Sequence, residues 1–235
     1  MSTLVIVGAG PGLGLSLAEK FGKKDFNVAL IARNQDRLDT LQASLTDMNI
    51  KSAGFSADVT NEQQIADAFT QVRETFGQID VLVYNAGVIA PVSAAETTAD
   101  IANQHMQVNI IGGISSAQQV IPEMIERKQG TIFFTGGGAS ELTVTPILTT
   151  LSIGKSGLRS YAHCLHDELQ DQGVYVGMLS IAGVIEEGTY FSADNIADEY
   201  LDMYEKQDVA ERFYVDESED SDAVLKDTYT SEGQA

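Results

Sequence analysis

Cysteine is nearly absent from this chain: Cys164 stands alone among 235 residues. No disulfide can close within the chain, and the cytoplasm is the expected compartment. Cys164 lies in a helical pattern, where a small buried core residue is expected rather than a nucleophile. Long apolar runs are also missing, so no membrane span is predicted. The N-terminus has neither a basic flank nor a cleavage pattern, so no signal peptide is predicted. Basic residues are scarce, 14 against 34 acidic ones, for a net charge of −20. A surface of that sign repels nucleic acid and anionic membranes, and neither is expected as a partner. The imbalance is uneven. Glu186 to Ala235 carries 16 acidic and 3 basic residues, against 18 and 11 in the first 185. The expected organisation is one domain over residues 1–215 and an acidic tail over 216–235, rich in Glu, Ser, Asp and Thr. No metal site is predicted.

What is present begins with Leu4-Val5-Ile6-Val7, a buried-strand pattern. Gly8, Gly12 and Gly14 follow in the spacing G-x-x-x-G-x-G, and Leu15 to Phe21 reads as a helix that Gly22 stops. Strand, glycine turn and helix form a dinucleotide-binding geometry. A bare backbone approaches a pyrophosphate closely, and the helix N-terminus offers free N–H groups and positive potential. The spacing G-x-G-x-x-G does not fit, because positions 13 and 15 are Leu13 and Leu15.

Strand and helix patterns then alternate. Asn27 to Ala32 reads as a second strand and Asn34 to Met48 as a helix with Leu38, Leu41 and Leu45 on one face. Ile50 to Ala57 is a weaker, more polar strand suited to a sheet edge. A helix follows, with Ile65, Ala68, Phe69, Val72 and Phe76 at helical spacing and Thr60 with Gln63 as a predicted capping box. Ile79 to Tyr84 is a fourth strand. A long helix is predicted from Thr98 to Arg127, its Gly112-Gly113 pair indicating close packing. Thr131 to Thr135 is a fifth strand running into Gly136-Gly137-Gly138, Leu151 to Gln172 a helix, Val174 to Ile181 a sixth strand, and Asp194 to Lys206 a short helix. The alternation predicts an α/β fold: a Rossmann-like, doubly wound parallel sheet in three layers. Arg33 and Asn34 follow the second strand, where such folds meet the adenosine ribose. An acidic residue there suits the 2′-hydroxyl of NAD and an arginine the 2′-phosphate of NADP, so NADP is the expected cofactor, with NAD as the alternative. Arg37 is read as a solvated helix residue.

Taken in order, these motifs resemble the short-chain dehydrogenase/reductase family over about residues 3 to 190. The resemblance rests on Gly8, Gly12 and Gly14, on Asp58-Val59 after the third strand, on Asn85-Ala86-Gly87 after the fourth, on Asn109 in the long helix, on Lys155 before the sixth strand, and on Ala182-Gly183 with Thr189 after it. It implies cofactor contacts from Gly8, Gly12, Leu13, Gly14, Arg33, Asn34, Asp58, Val59, Asn85, Ala86, Gly87, Lys155, Gly183 and Thr189. It implies catalytic roles for Asn109 and Lys155, and a homodimer or homotetramer paired through the long helices. Two departures stand out. Four residues before Lys155, where the family has its tyrosine, stands Leu151, and Gly136 to Gly138 occupy the place of the family's serine. This identifies an atypical branch. In the family the tyrosine gives a proton to the carbonyl oxygen while the serine holds it, and losing a positioned acid costs about 10²–10⁴ in rate. The expected activity is hydride transfer between a nicotinamide and a small carbonyl or hydroxyl compound with a non-standard proton donor. Tyr190 and Ser152 are candidates for that donor, with Lys155 itself a third; Ser140, Thr143 and Thr149 are further nearby hydroxyls. The rival expectation is an NADP-binding sensor or structural protein; a weaker one is an isomerase or lyase.

Overall fold

In the computed structural model, which describes residues 1–138 and 146–216, the chain folds around β1 (Thr3–Val7), buried at every position. Its side chains alternate between two apolar layers, as strand geometry requires. Val5 and Val7 point into one layer, Leu4 and Ile6 into the other. A strand covered on both faces reads as a continuous apolar run.

After β1 come α1 (Leu13–Gly22), β2 (Asn27–Ala32), α2 (Gln35–Asp47), β3 (Ser52–Ser56), α3 (Glu62–Phe76) and β4 (Val81–Tyr84). Then follow α4 (Ala99–Met106), α5 (Gly112–Gln118), α6 (Ile121–Arg127), β5 (Gly130–Gly137), α7 (Thr149–Leu169), β6 (Val174–Ile181), α8 (Ala193–Lys206) and β7 (Glu211–Tyr214). Among the described residues the sheet has seven strands in the order β3-β2-β1-β4-β5-β6-β7, every pair parallel. This is a Rossmann-like doubly wound fold with helices on both faces. Strand order reverses between β1 and β4, and ligands of such sheets bind at the carboxyl ends of the strands beside that reversal.

Several local expectations change. α1 begins at Leu13 and includes Gly22, where Ile50 packs in the place a Cβ would take. The cap of α3 is Asn61, whose Oδ1 accepts from Gln64 N at 3.1 Å; Thr60 turns its hydroxyl back to Asp58 instead, so the Thr60–Gln63 box does not form. The long helix is interrupted twice. Gln107–Ile111 forms a π turn, and Pro122, which has no N–H to give, lies at the restart as α6. Its glycines do pack closely: a Cβ at Gly112 would lie 2.5 Å from the Tyr84 hydroxyl, and one at Gly113 2.9 Å from Leu158. β5 extends through Gly136 and Gly137. Cys164 is exposed, not core, because it falls on the outer side of α7 between the buried Ala162 and Leu165. β7 was not expected. No helix among the described residues is long and apolar enough to cross a membrane. The predicted tail from residue 217 onward lies outside the described residues.

Candidate active site

Two cavities meet at the carboxyl ends of the central strands. The first, about 300 Å³, is lined by Gly8 to Pro11, Ala32 to Asn34, Arg37, Ala57 to Val59, Asn85 to Val88 and Val108. The second, about 510 Å³, runs from Gly10, Gly12, Leu13 and Gly14 past Asn85 and Gly87 to Lys155, Leu151 and Gly183. Gly10, Asn85 and Gly87 belong to both, so the two form one continuous cleft across the end of β1.

The glycine turn divides its labour. Gly8 takes φ +88°, and a Cβ there would stand 2.4 Å from Ala86 N. Gly14 lies 3.0 Å from Ala9 Cα by the same construction. Around Gly10 and Gly12, by contrast, a Cβ would meet nothing within 4 Å. These two keep backbone open to the cleft rather than to protein. Gly12 leads into α1, which has no side-chain cap and no acidic residue in its first turn. The helices α2, α3, α4 and α8 are each capped by a side chain, from Asn34, Asn61, Thr98 and Ser192. The uncapped N-terminus of α1 therefore presents its unfilled N–H groups to the cleft, which suits a pyrophosphate.

At the first end, Asn34 Oδ1 accepts from Arg37 N at 2.9 Å, which fixes the start of α2. Arg33 and Arg37 both line this end; Arg37 belongs to the site although its sequence context suggested a solvated residue. Asp58 accepts from Thr60 N and Thr60 Oγ1, at 2.9 and 2.8 Å. The Thr60 N–H, and more weakly the Arg33 charge, hold its carboxyl below the usual range. Val59 and Ala86 complete the wall.

At the other end a chain of hydrogen bonds crosses the sheet. Asn85 Nδ2 donates to Gly8 O at 3.0 Å, Thr135 Oγ1 donates to Asn85 Oδ1 at 3.1 Å, and Thr135 and Tyr200 hydroxyls lie 2.6 Å apart. Lys155 Nζ donates to Thr135 O at 2.7 Å. Lys155 is 7% exposed and, among the described residues, forms no ion pair. Burial pulls its pKa down to about 8. It is the one titratable side chain among the described residues lining this cavity. Leu151, one helical turn before it, and Gly136, Gly137 and Gly138 line the wall as carbon and backbone.

Asn109 is fully buried in the π turn. Its Oδ1 accepts from Val88 N at 2.7 Å and its Nδ2 donates to Val88 O at 3.4 Å, so its amide is committed to the loop that follows Gly87. A Cβ at Gly87 would lie 3.6 Å from Lys155 Nζ and 3.7 Å from Asn109 Oδ1. Gly183 lines the cleft under Phe191, whereas Thr189 lies outside it, exposed, with its hydroxyl on Glu186 O. Tyr190 stacks on Tyr214 at 4.6 Å and does not line the cavity. Nor does Ser152, although its buried hydroxyl has no partner. Thr149 Oγ1 is spent on Pro146 O. Ser140 and Thr143 lie outside the described residues. The lining residues of the second cavity that sequence reasoning missed include Thr135, Ile89, Leu148, Ile181, Val184 and Ile185; of these Thr135, a hydroxyl at the end of an apolar strand, left a signal.

The model of the short chain dehydrogenase family matches residues 2–193. The chain belongs to that family. It is 30% identical over 184 residues to a very-long-chain 3-oxoacyl-CoA reductase of Aspergillus niger, covering 76% of this chain and 52% of that protein. It is 29% identical over 177 residues to an uncharacterized oxidoreductase of Staphylococcus saprophyticus, covering 75% of each. The chain spans about half the length of the first of these curated relatives. Its fold is shared with L-sorbose reductase from Gluconobacter frateurii, solved with NADPH and L-sorbose, at TM-score 0.84 and 20% identity over 92% of this chain and 95% of that one.

Proposed function

We propose that the protein is an NADP-preferring oxidoreductase that interconverts a small carbonyl compound and its alcohol, with Lys155 as the proton carrier. The observation that carries this reading is a buried lysine without a counter-ion, facing a cavity continuous with a glycine-lined cleft. The cleft fits a dinucleotide: Gly10 and Gly12 leave room that a Cβ would fill, and α1 offers an uncapped N-terminus. Arg33 and Arg37 would hold the 2′-phosphate, and Asn85, Gly87 and Gly183 the nicotinamide end. When bound, the cofactor supplies a hydride to the carbonyl carbon. Lys155 donates a proton to the carbonyl oxygen as its negative charge develops, becomes a neutral amine, and takes a proton back from water. Desolvation brings its acidity toward neutrality, where a general acid is most effective. Leu151 and the surrounding aliphatic side chains keep water from that oxygen. In the reverse direction the neutral amine is the base. Reduction should therefore fall as pH rises through about 8, and alcohol oxidation should rise over the same interval.

A second reading, an NADP-binding sensor with little turnover, is favoured by Leu151 and Gly136 to Gly138, which offer no side-chain hydroxyl to a carbonyl oxygen. Fluorescence of bound NADPH separates the two and is clean because the chain has no tryptophan. The oxidoreductase reading expects NADPH to bind tighter than NADH and to be consumed across a carbonyl panel. Stoichiometric binding without consumption favours the sensor. Binding of neither nucleotide sinks both. Pairing into a homodimer or homotetramer is part of this proposal; Ile111 and Ile153, 42% and 48% exposed, are the apolar side chains that pairing would cover, and light scattering reads the mass.

A further inference from the structure

We propose that the reaction end of the cleft takes uncharged, predominantly aliphatic carbonyl compounds and turns away anionic ones. This inference rests on the oxidoreductase reading and deepens it. Beyond the glycines, the apolar side chains of the described walls are Leu13, Ile89, Leu148, Leu151, Ile181, Val184 and Ile185. The polar side chains that also line it are Asn85, Thr135 and Lys155, and the first two are engaged within the protein. Both ends of the Asn85 amide are taken, by Gly8 O and Thr135 Oγ1, and the Thr135 hydroxyl lies between Asn85 and Tyr200. Asn85 Nδ2 keeps one N–H, which the reading above assigns to the nicotinamide end, so among the described lining side chains it is the Lys155 ammonium, with its one hydrogen bond to Thr135 O, that has N–H groups to spare for a substrate.

Among the described side chains a substrate therefore finds one free donor, at the reacting oxygen, and aliphatic wall around it. A second polar group would leave water without gaining a partner, at a cost of about 5- to 100-fold in affinity. A remote carboxylate or phosphate finds no second cation, because no Arg or His is among the described lining residues. The approach is equally selective. Ile89 and Ile185 stand 59% and 41% exposed at the rim. Beside Ile185 the exposed Glu186 and Glu187 place negative charge on a molecule that already carries −20, which disfavours the approach of anions.

The test is titration calorimetry of the full chain, with and without saturating NADPH. The probes are the methyl ketones from pentanone to undecanone and the same ketones with a terminal carboxylate. Each added methylene should tighten binding about fourfold until the cavity is filled. The carboxylated ketones should bind at least about tenfold more weakly than their uncharged counterparts. Ile89→Glu should weaken the longest ketone about tenfold and leave pentanone nearly unchanged. Affinity independent of chain length overturns the inference, and so does undetectable binding of every ketone or a carboxylate that binds as well as its neutral partner. Length-dependent ketone binding without NADPH oxidation sinks the oxidoreductase reading and leaves the apolar site standing. NADPH oxidation confined to hydroxylated or anionic carbonyls does the reverse.

Discussion

The two ends of the cleft are built in opposite ways. At the adenosine end, Asn34 and Asp58 accept from the backbone around them, and two arginines stand over the space between. At the reaction end the walls are glycine and aliphatic carbon, and one buried amine carries the polarity. The difference teaches that the grip on a nucleotide and the machinery at the reacting carbon are separate inventories. Among the described residues they share Gly10 of the glycine turn, Asn85 and Gly87, so one can change while the other stays.

The shared turn is where the largest effect is expected. Gly8→Val forces a side chain into a left-handed backbone and against Ala86, and should cost about 3 kcal/mol or more in urea unfolding. Gly12→Ala meets no protein atom, so stability should change by less than about 1 kcal/mol while NADPH binding weakens about tenfold or more. Equal unfolding costs for the two would erase the distinction between structural and ligand-facing glycines.

Next is Lys155→Met at the reaction end. Carbonyl reduction should drop by about 10²–10⁴, yet the protein should become more stable. Burial lowers the Lys155 pKa from 10.5 to about 8, so the unfolded chain holds the proton more firmly than the native one. The penalty is full below about 8 and is gone above the unfolded pKa. Lys155→Met should thus gain up to about 3 kcal/mol at pH 7, a gain that fades as pH rises from about 8 toward 10.5. A thermal midpoint that falls at pH 7 contradicts this. Arg33→Asp, confined to the other end, should weaken NADPH by about 10- to 100-fold with little change for NADH, as fluorescence titration would read.

The smallest effect concerns the glycines at the end of β5 and just past it. Gly138 has Ala182 Cα 2.7 Å from a built Cβ and Gly136 has Ser180 Oγ within clashing distance, whereas at Gly137 the neighbour among the described residues is Lys155 Cγ at 3.6 Å. Gly138→Ser should cost about 1–3 kcal/mol and Gly137→Ser under about 1 kcal/mol, by urea unfolding.

Most of the sheet was legible because its strands are buried on both faces and its amphipathic helices keep a period of 3.6. β6 matches its predicted bounds, and the weak polar strand is indeed the edge, β3. What escaped depends on partners far away in the chain. β7 has no run of its own; it is fastened through Glu211, whose nearly buried carboxylate takes Arg159 at 2.6 Å, His163 at 2.8 Å and Ser180 at 2.7 Å. The π turn at Asn109 answers to Val88 across the fold rather than to local spacing. Cofactor-side positions carry short motifs that survive in one dimension. Ile89 and Leu148 do not, because an aliphatic wall has no signature until the chain folds around it.

The hydrogen-bond chain from Tyr200 through Thr135 and Asn85 to Gly8 also decides how far the molecule can be shortened. The family match ends at residue 193, but Tyr200 lies beyond it, with its ring edge-on to Phe133 at 5.4 Å. Lys20 of α1 and Lys24 just beyond its end reach further still, to Asp198 and Glu205 of α8. A fragment cut at the family boundary would strip the underside of β5 and leave the Thr135 hydroxyl with one fewer partner. The smallest autonomous unit therefore extends past α8, and the nucleotide turn at one end of the chain is held in tune by a helix near the other.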